Sequence, residues 1–521
     1  MREVELKFLI DADRAADVRR RLPELGIALA EPRQEVLRSI YFDTASGALR
    51  AAGISLRLRH DGTRWLQTVK HRGRIASGLS QVQEVEQPAP EGRVSIRAVA
   101  DQKLRKKLDR LVGNAPLEPV LETEMARQSF AVGLAGTRAS LAIDEGEVRA
   151  GGRAEVLREL EIELTDGEAR GLYEIARQLM PEGGLRFSRH SKAARGFLLA
   201  EEGHVEPPLA PRRAWAVDLL VDESAEEALR AILRECLDQI STNILVVRAL
   251  EDPEGPHQLR IGLRRLRGAL ALVAPTVSDG ETLDRLREEA RWLGREVGRL
   301  RDLDVARTQI VPREAAAHDG ETGFRPLQSA LETHAAATRA ELRGLLIGRR
   351  AQDLQIALAE FIETSGLGQG AGRPGNGHRQ MIPELARKSL HKRWRRACGC
   401  AEEIDTLDLQ QRHALRKELK KLRYCLEFLA PLFPQKSVKR FLGKLKTLQI
   451  VFGDLADAGM AEALLTGPPF AELSDITAQR AIGRVIGAQQ MKAQKSWDNA
   501  RRLWNDLAQC ARPWERSARN R

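Results

Sequence analysis

The sequence predicts an α+β half built on an antiparallel β barrel, followed by an all-α half. Three observations predict it. Before residue 200, five segments alternate charged and apolar residues with a period of two. A proline-rich, polar stretch follows at 201–211. Beyond it the apolar period becomes helical, and one eleven-residue helical pattern occurs twice.

The first segment places Glu3, Glu5 and Lys7 on one face of a strand and Val4, Leu6 and Phe8 on the other. Next, Arg57 and Arg59 alternate with Leu56 and Leu58, and Thr68 and Lys70 flank Val69. Glu84 and Glu86 flank Val85, and Glu159, Glu161 and Glu163 alternate with Leu160, Ile162 and Leu164. One charged stripe is ordinarily a solvated face. Five of them, some acidic and some basic, would line the interior of a closed barrel with both signs. Acidic stripes suit a hard, oxygen-seeking cation. Basic stripes suit phosphate, which arginine binds bidentately.

Glu3-Val4-Glu5-Leu6-Lys7 resembles the ExExK signature of CYTH domains, the triphosphate tunnel metalloenzymes, named for adenylate cyclases and thiamine triphosphatases. The resemblance runs over about 1–200. It includes Tyr41-Phe42-Asp43-Thr44, Gly78-Leu79-Ser80-Gln81, Asp144-Glu145-Gly146-Glu147 and the closing Ser191-Lys192-Ala193-Ala194-Arg195-Gly196. Members often carry an arginine two residues before the Glu84 position, where this chain has Val82. The resemblance implies an eight-stranded tunnel with covering helices over 1–202, acting on triphosphate with Mg²⁺ or Mn²⁺. It implies Glu3, Glu5, Glu161 and Glu163 as metal ligands, with Asp144 as a further one. It implies phosphate contacts from Lys7, Arg57, Arg59, Lys70 and Lys192. Glu3, Glu5, Lys7 and Lys70 form the expected catalytic group, with Glu84 and Glu86 available to metal or water. Phosphoanhydride hydrolysis asks the protein for positioning and charge neutralisation more than for covalent chemistry.

At 521 residues the chain is long enough for two or more domains, and its net charge of +11 points to an acidic partner. The excess is concentrated: residues 379–446 hold 18 Lys/Arg against 7 Asp/Glu. Five cysteines, an odd number with one CxC at Cys398 and Cys400, read as isolated thiols rather than a disulfide framework. No apolar run reaches the ~20 residues that span a bilayer, and the charged N-terminus is unlike a signal peptide. The expectation is a cytoplasmic protein with no membrane partner. The linker, set at 203–214, leads into helices over 225–250, 282–311, 326–361, 383–403, 408–432 and 437–465. A glycine-rich connector falls at 364–378. Its formal GxGxxG, at Gly370, Gly372 and Gly375, follows no strand and is discounted as a dinucleotide site.

The repeated pattern begins at His257 and again at His413, and both copies read H-x-L-R-x-x-L-[RK]-[RK]-L-R. On a helix, Leu259, Leu263, Leu266 and Leu270 form a packing stripe, and His257, Arg260, Arg264 and Arg267 form a separate basic row. The second copy gives Leu415, Leu419, Leu422 and Leu426 beside His413, Arg416, Lys420 and Arg423. Arg301-Asp302-Leu303 and Gly453-Asp454-Leu455 echo each other further on. This is similar to the CHAD domain, a histidine-bearing helical module, over about 215–510. The resemblance implies a pseudo-twofold pair of helical bundles that binds inorganic polyphosphate along the two rows. For the histidines, a helix-start cap or a core contact competes with a phosphate contact. For the rows, a solvated helix face competes with a polyanion track that gains from counterion release.

The expected function is metal-dependent hydrolysis of inorganic triphosphate in the tunnel, with polyphosphate bound by the helical half and association with polyphosphate granules. Two alternatives stand beside it: a non-catalytic polyphosphate-binding or targeting protein, and a CYTH enzyme acting on thiamine triphosphate or a nucleotide. Nucleic acid is disfavoured as a partner because only 4% of the residues are aromatic, leaving little for base stacking.

Overall fold

The computed structural model describes residues 2–24, 31–180, 183, 184, 186–367 and 381–515. Gly370, Gly372 and Gly375 therefore lie outside the described residues. The chain packs as two units, one of residues 1–209 and 347–364, the other of 210–346 and 365–521.

The first unit is the barrel. Its elements begin β1 (Arg2–Leu9), α1 (Ala12–Glu24), β2 (Arg33–Asp43), α2 (Ala48–Ala51) and β3 (Ser55–His60). There follow β4 (Trp65–Ala76), β5 (Leu79–Pro88), α3 (Gln102–Val112), β6 (Glu118–Leu134), β7 (Thr137–Ala150) and β8 (Arg153–Asp166). Then come α4 (Arg170–Leu179), β9 (Arg186–Phe187) and α5 (Lys192–Glu202). The strands run β5-β4-β3-β2-β6-β7-β8-β1, and β1 pairs back onto β5, so eight antiparallel strands close into a tunnel. β9 pairs with Phe8 and Leu9 of β1, beyond the point where β5 stops.

Closure explains why the charged stripes face inward. On β1 both faces are covered: Leu6 and Phe8 are buried on one side, Glu5 and Lys7 on the other. Outside, α3 lays Leu104, Leu108 and Val112 over Leu56 and Val69 of β3 and β4. The Asp43 carboxylate accepts backbone N–H bonds from Thr44, Leu49 and Arg50, so this residue of the Tyr41–Thr44 motif tethers α2 rather than lining the tunnel.

The second unit is all helical among the described residues. Residues 203–224 hold no helix, and the second unit begins within them, at 210. α6 (Ala225–Ala249), α7 (Glu254–Val273), α8 (Gly280–Val305), α9 (Val311–Ala317) and α10 (Phe324–Ile347) form its first half. After α11 (Arg349–Thr364) come α12 (Ile382–Cys400), α13 (Leu409–Leu429), α14 (Gln435–Leu465), α15 (Ile476–Trp497) and α16 (Ala500–Ala508). α6 touches α12 and α7 touches α13, as a pseudo-twofold pairing of like helices requires. Both leucine stripes are fully buried, and the buried Arg265 guanidinium of α7 lies 4.6 Å over the Phe428 ring of α13. All five cysteines are free. No helix among the described residues is long and apolar enough to cross a membrane.

The expected single helix over 326–361 breaks at Gly348, and its second part, α11, belongs to the barrel unit. There Glu360 accepts from Arg170 at 2.8 Å and from Arg177 at 2.5 Å, joining α11 to α4. Leu354, Leu358, Phe361 and Ile362 are buried.

Candidate active site and basic helix rows

Tight two-residue turns set which charges meet. Ala135 and Gly136 both have positive φ, the geometry that matches the twist of a hairpin, and join β6 to β7. Counting back from that turn puts Arg127 opposite Asp144. Gly151 and Gly152 do the same for β7 and β8, so Asp144 faces Glu159 and Ala142 faces Glu161. β1 then sets Lys7 opposite Glu161 and Glu5 opposite Glu163. Across β4 and β5, Lys70 pairs with Glu84, and Val82 sits opposite Glu3 where the family pattern often has arginine.

The result is a cavity of about 710 Å³. It is lined by Glu3, Glu5, Lys7, Arg57, Arg59, Lys70, Glu84, Glu86, Glu161, Glu163 and Lys192, so every expected tunnel residue except Asp144 reaches it. Asp144 lies behind the lining, fully buried, held by Arg127 through two bonds of 2.7 and 2.6 Å and by Lys192 at 2.8 Å. Glu161 is also saturated with cations: Lys7 at 2.5 Å, Arg127 at 2.6 Å and Lys192 at 2.8 Å. Burial alone would raise its pKa, but Lys192, Lys7 and Arg127 hold it well below the usual carboxylate range.

The remaining carboxylates are less well served. Glu163 makes no salt bridge among the described residues, and burial followed by repulsion from Glu3 and Glu5 pushes its pKa up to about 7. Glu5 and Glu3 are also raised, chiefly by burial, despite Lys7 at 2.8 Å and Lys70 at 2.6 Å. The expected metal set thus divides into Glu3, Glu5 and Glu163, short of positive charge, and Glu161 and Asp144, satisfied by it. No three of these donors are arranged as a ready metal-binding group among the described residues. On β3, Arg57 is held up against burial by Tyr41 and Glu84, whereas Arg59 is short of negative charge. Arg59 is pushed down to about 10 by burial and by Arg57 and Arg127. The buried Nε atoms of Arg57 and Arg59 have no hydrogen-bond partner.

The closing motif supplies an end plug. Ser191 caps α5 by accepting from the Ala194 N–H, and Lys192 points into the three-carboxylate nest of Asp144, Glu159 and Glu161. Arg195 is wholly buried, beside Glu159 at 3.4 Å. A Cβ on Gly196 would lie 2.6 Å from Leu121, so only glycine lets α5 approach β6 this closely. Leu121, Met125, Val148 and Leu157 pack with Ala193 and Leu199, closing that end with an apolar cluster.

Neither Arg127 nor Glu159 is legible from the sequence as a phosphate or metal contact. On β6 the alternating charges, Glu122 and Glu124, lie on the face opposite Arg127, so the strand's own pattern hides it. The Ala135-Gly136 turn was the signal that would have found it.

In the helical unit the two rows meet. Arg264 has its pKa lowered to about 10 by burial, then by Arg260 and Arg416. Lys420 is lowered to about 6 by burial, then by Arg264, Arg416, Arg423 and Arg260. Arg264 and Lys420 have no salt bridge among the described residues, whereas Arg260 donates to Asp302 at 2.5 Å and Arg423 to Gln449 at 2.8 Å. Asp454, the counterpart of Asp302 in the echo, turns instead to Lys492 and Ser496. Arg267 and His413 are exposed at the ends of the rows, and His257 is half-buried.

A closed strand tunnel lined by opposed charges and a helical unit with converging basic rows define the class. The chain carries a CYTH domain followed by a CHAD domain, matched over residues 1–197 and 231–466. An inorganic triphosphatase of Haemophilus influenzae is 26% identical over 230 residues, 44% of this chain and 62% of that protein. The match thus spans less than two thirds of that relative's length. Among solved structures, the CHAD domain from the plant Ricinus communis is 29% identical, covering 58% of this chain and 98% of that one, with a TM-score of 0.49. A putative adenylyl cyclase from Hippeastrum, described as having a dominant triphosphatase activity, is 20% identical. It covers 39% of this chain and 98% of that one, with a TM-score of 0.28.

Proposed function

We propose that the barrel hydrolyses inorganic triphosphate with the aid of Mg²⁺ or Mn²⁺, and that the helical unit binds inorganic polyphosphate. The observation that carries the first part is the division of one cavity into a cation-poor carboxylate side and a guanidinium side on which Arg59 is short of negative charge. Glu3, Glu5 and Glu163 repel one another; they are not drawn together as a ready site, but their carboxylate oxygens are the donor type a hard divalent cation takes, and its charge would relieve that repulsion. Such a cation, when bound, neutralises phosphate charge and orients water. Arg57, Arg59, Lys7 and Lys70 grip the phosphate chain, and the unpartnered Arg57 and Arg59 Nε atoms are donors ready for its oxygens. Arg127 and Lys192 hold Glu161 and Asp144 ionised and immobile, so the tunnel wall does not reorganise when charge develops.

A nucleotide or thiamine substrate would want an aromatic face. The cavity offers Tyr41, which is buried, and Phe197, which is covered by the Arg50 guanidinium at 4.4 Å. That favours the bare triphosphate. The second part rests on Arg264 and Lys420, half-buried basic side chains from facing helices with no salt-bridge partner among the described residues. Phosphate release from inorganic triphosphate, ATP and thiamine triphosphate, each with Mg²⁺ or Mn²⁺, tests the reading. Fast release from the inorganic substrate alone supports it, and release from none leaves the tunnel a binding device.

A further inference from the structure

Away from the α7 and α13 rows, a groove of about 530 Å³ opens between α12 and the turn at 512–515. Its walls are Arg387, Lys388, His391, Lys392 and Arg395 from α12, with Trp514 and Glu515 opposite. These five α12 residues are exposed and share one helix face, while Leu390, Trp394 and Ala397 bury the other. The acids nearby are already engaged. Glu384 takes Lys388 at 2.8 Å, and Glu515 takes Arg512 at 2.6 Å with His391 at 3.8 Å. Arg387, Lys392 and Arg395 have no salt bridge or hydrogen bond among the described residues.

An exposed basic face is ordinarily just solvated. Two features set this one apart: it is concave, and Trp514 in its wall is buried with an indole N–H that has no acceptor. Buried donors of that kind are uncommon.

We propose that this groove is a second polyphosphate-binding surface, distinct from the paired rows, on which a linear phosphate chain lies along Arg387, Lys392 and Arg395. The proposal rests on the reading of the helical unit as a polyphosphate binder. Three unpaired cations over two turns of helix, a span of about 12 Å, match a polymer that carries charge on every unit. Nucleic acid fits less well. Trp514 is only 3% exposed, with its ring packed against Phe441 and Trp394, so no face is free for a base.

The test compares four full-length proteins by calorimetry with inorganic polyphosphate at several salt concentrations. They are the native chain, a groove variant (Arg387→Gln, Lys392→Gln, Arg395→Gln), a row variant (Arg264→Gln, Lys420→Gln) and their combination. Losing three phosphate contacts should flatten the slope of log affinity against log salt by about 2, at ~0.7 per contact for a single-stranded polyanion. The row variant should keep residual binding that the combination lacks. If the groove variant matches the native chain in affinity and slope while the row variant loses all binding, the groove is overturned and the rows stand. If the native chain binds no polyphosphate, the underlying reading fails instead. A groove variant that loses RNA affinity but keeps polyphosphate affinity also overturns the proposal. Acylation of the native chain gives a readout independent of mutation: Lys392 should be shielded by polyphosphate, and unchanged reactivity there counts against the groove.

Discussion

Polyphosphate binding should weaken as pH rises, because of Lys420. Burial and four neighbouring arginines push its pKa down to about 6, so above that pH it enters the unbound site neutral. A phosphate chain supplies the missing negative charge and restores the ammonium, so binding takes up a proton. Linkage then makes affinity fall by up to about tenfold per pH unit for one proton, or up to about a hundredfold between pH ~6 and pH ~8. The chain's internal phosphates are strong acids and stay ionised throughout. His257 and His413 are both lowered from 6.5, chiefly by burial. Arg264, at about 10, stays charged within it. The sign for folding agrees. Lys420 is depressed in the folded chain, so between about 6 and its unfolded value of 10.5 the unfolded chain holds a proton that the folded chain does not. Unliganded stability therefore rises with pH through that window, the reverse of an ion-paired lysine. Affinity measured across this range at fixed ionic strength checks the argument, with Lys420→Arg as the control that stays charged. A flat native profile, or an equal slope in Lys420→Arg, would refute it.

Glu5→Gln or Glu163→Gln should lower triphosphate turnover by about two orders of magnitude or more, since each removes charge from the cation-poor cluster and keeps side-chain volume; steady-state kinetics at saturating Mg²⁺ or Mn²⁺ decides. Reversing both rows, with Arg260→Glu, Arg264→Glu, Arg416→Glu and Lys420→Glu, should abolish binding at the α7 and α13 surface, while reversal of one row only weakens it, as read by calorimetry with helicity checked. Lys192→Met removes the cation that Asp144, Glu159 and Glu161 share, leaving them to Arg127, Arg195 and Lys7, and should destabilise the barrel by about 1–3 kcal/mol, seen as a lowered unfolding midpoint of that unit. Glu360→Gln leaves the half-buried Arg177 facing a neutral amide and should cost about 1–3 kcal/mol, measurable as faster proteolysis between α10 and α11.

The tunnel was legible wherever charge alternated on a strand. β1, β3, β4, β5 and β8 each announce an inward face, because a period of two survives whatever the strand pairs with. What alternation lacks is register. Arg127 and Glu159 acquire their partners from turns at Ala135-Gly136 and Gly151-Gly152, and only those pairings separate the satisfied carboxylates from the deprived ones. The helical repeat was legible because leucine spacing and basic spacing coexist without interfering. α11 was not: its sequence continues the helical period of α10, and its attachment to the barrel depends on Glu360 meeting two arginines almost two hundred residues earlier.

That attachment has a bearing on how the protein is made. A ribosome finishes the last barrel strand and α5 long before it reaches α11, and at ~5–20 residues per second the interval is on the order of ten seconds. During it, α4 waits without Glu360, leaving Arg177 only its Glu174 partner, while helices of the other unit emerge. Docking of α11 onto the barrel is therefore scheduled by synthesis of the helical region, and a chain interrupted before residue 347 lacks the helix that Glu360 ties to α4.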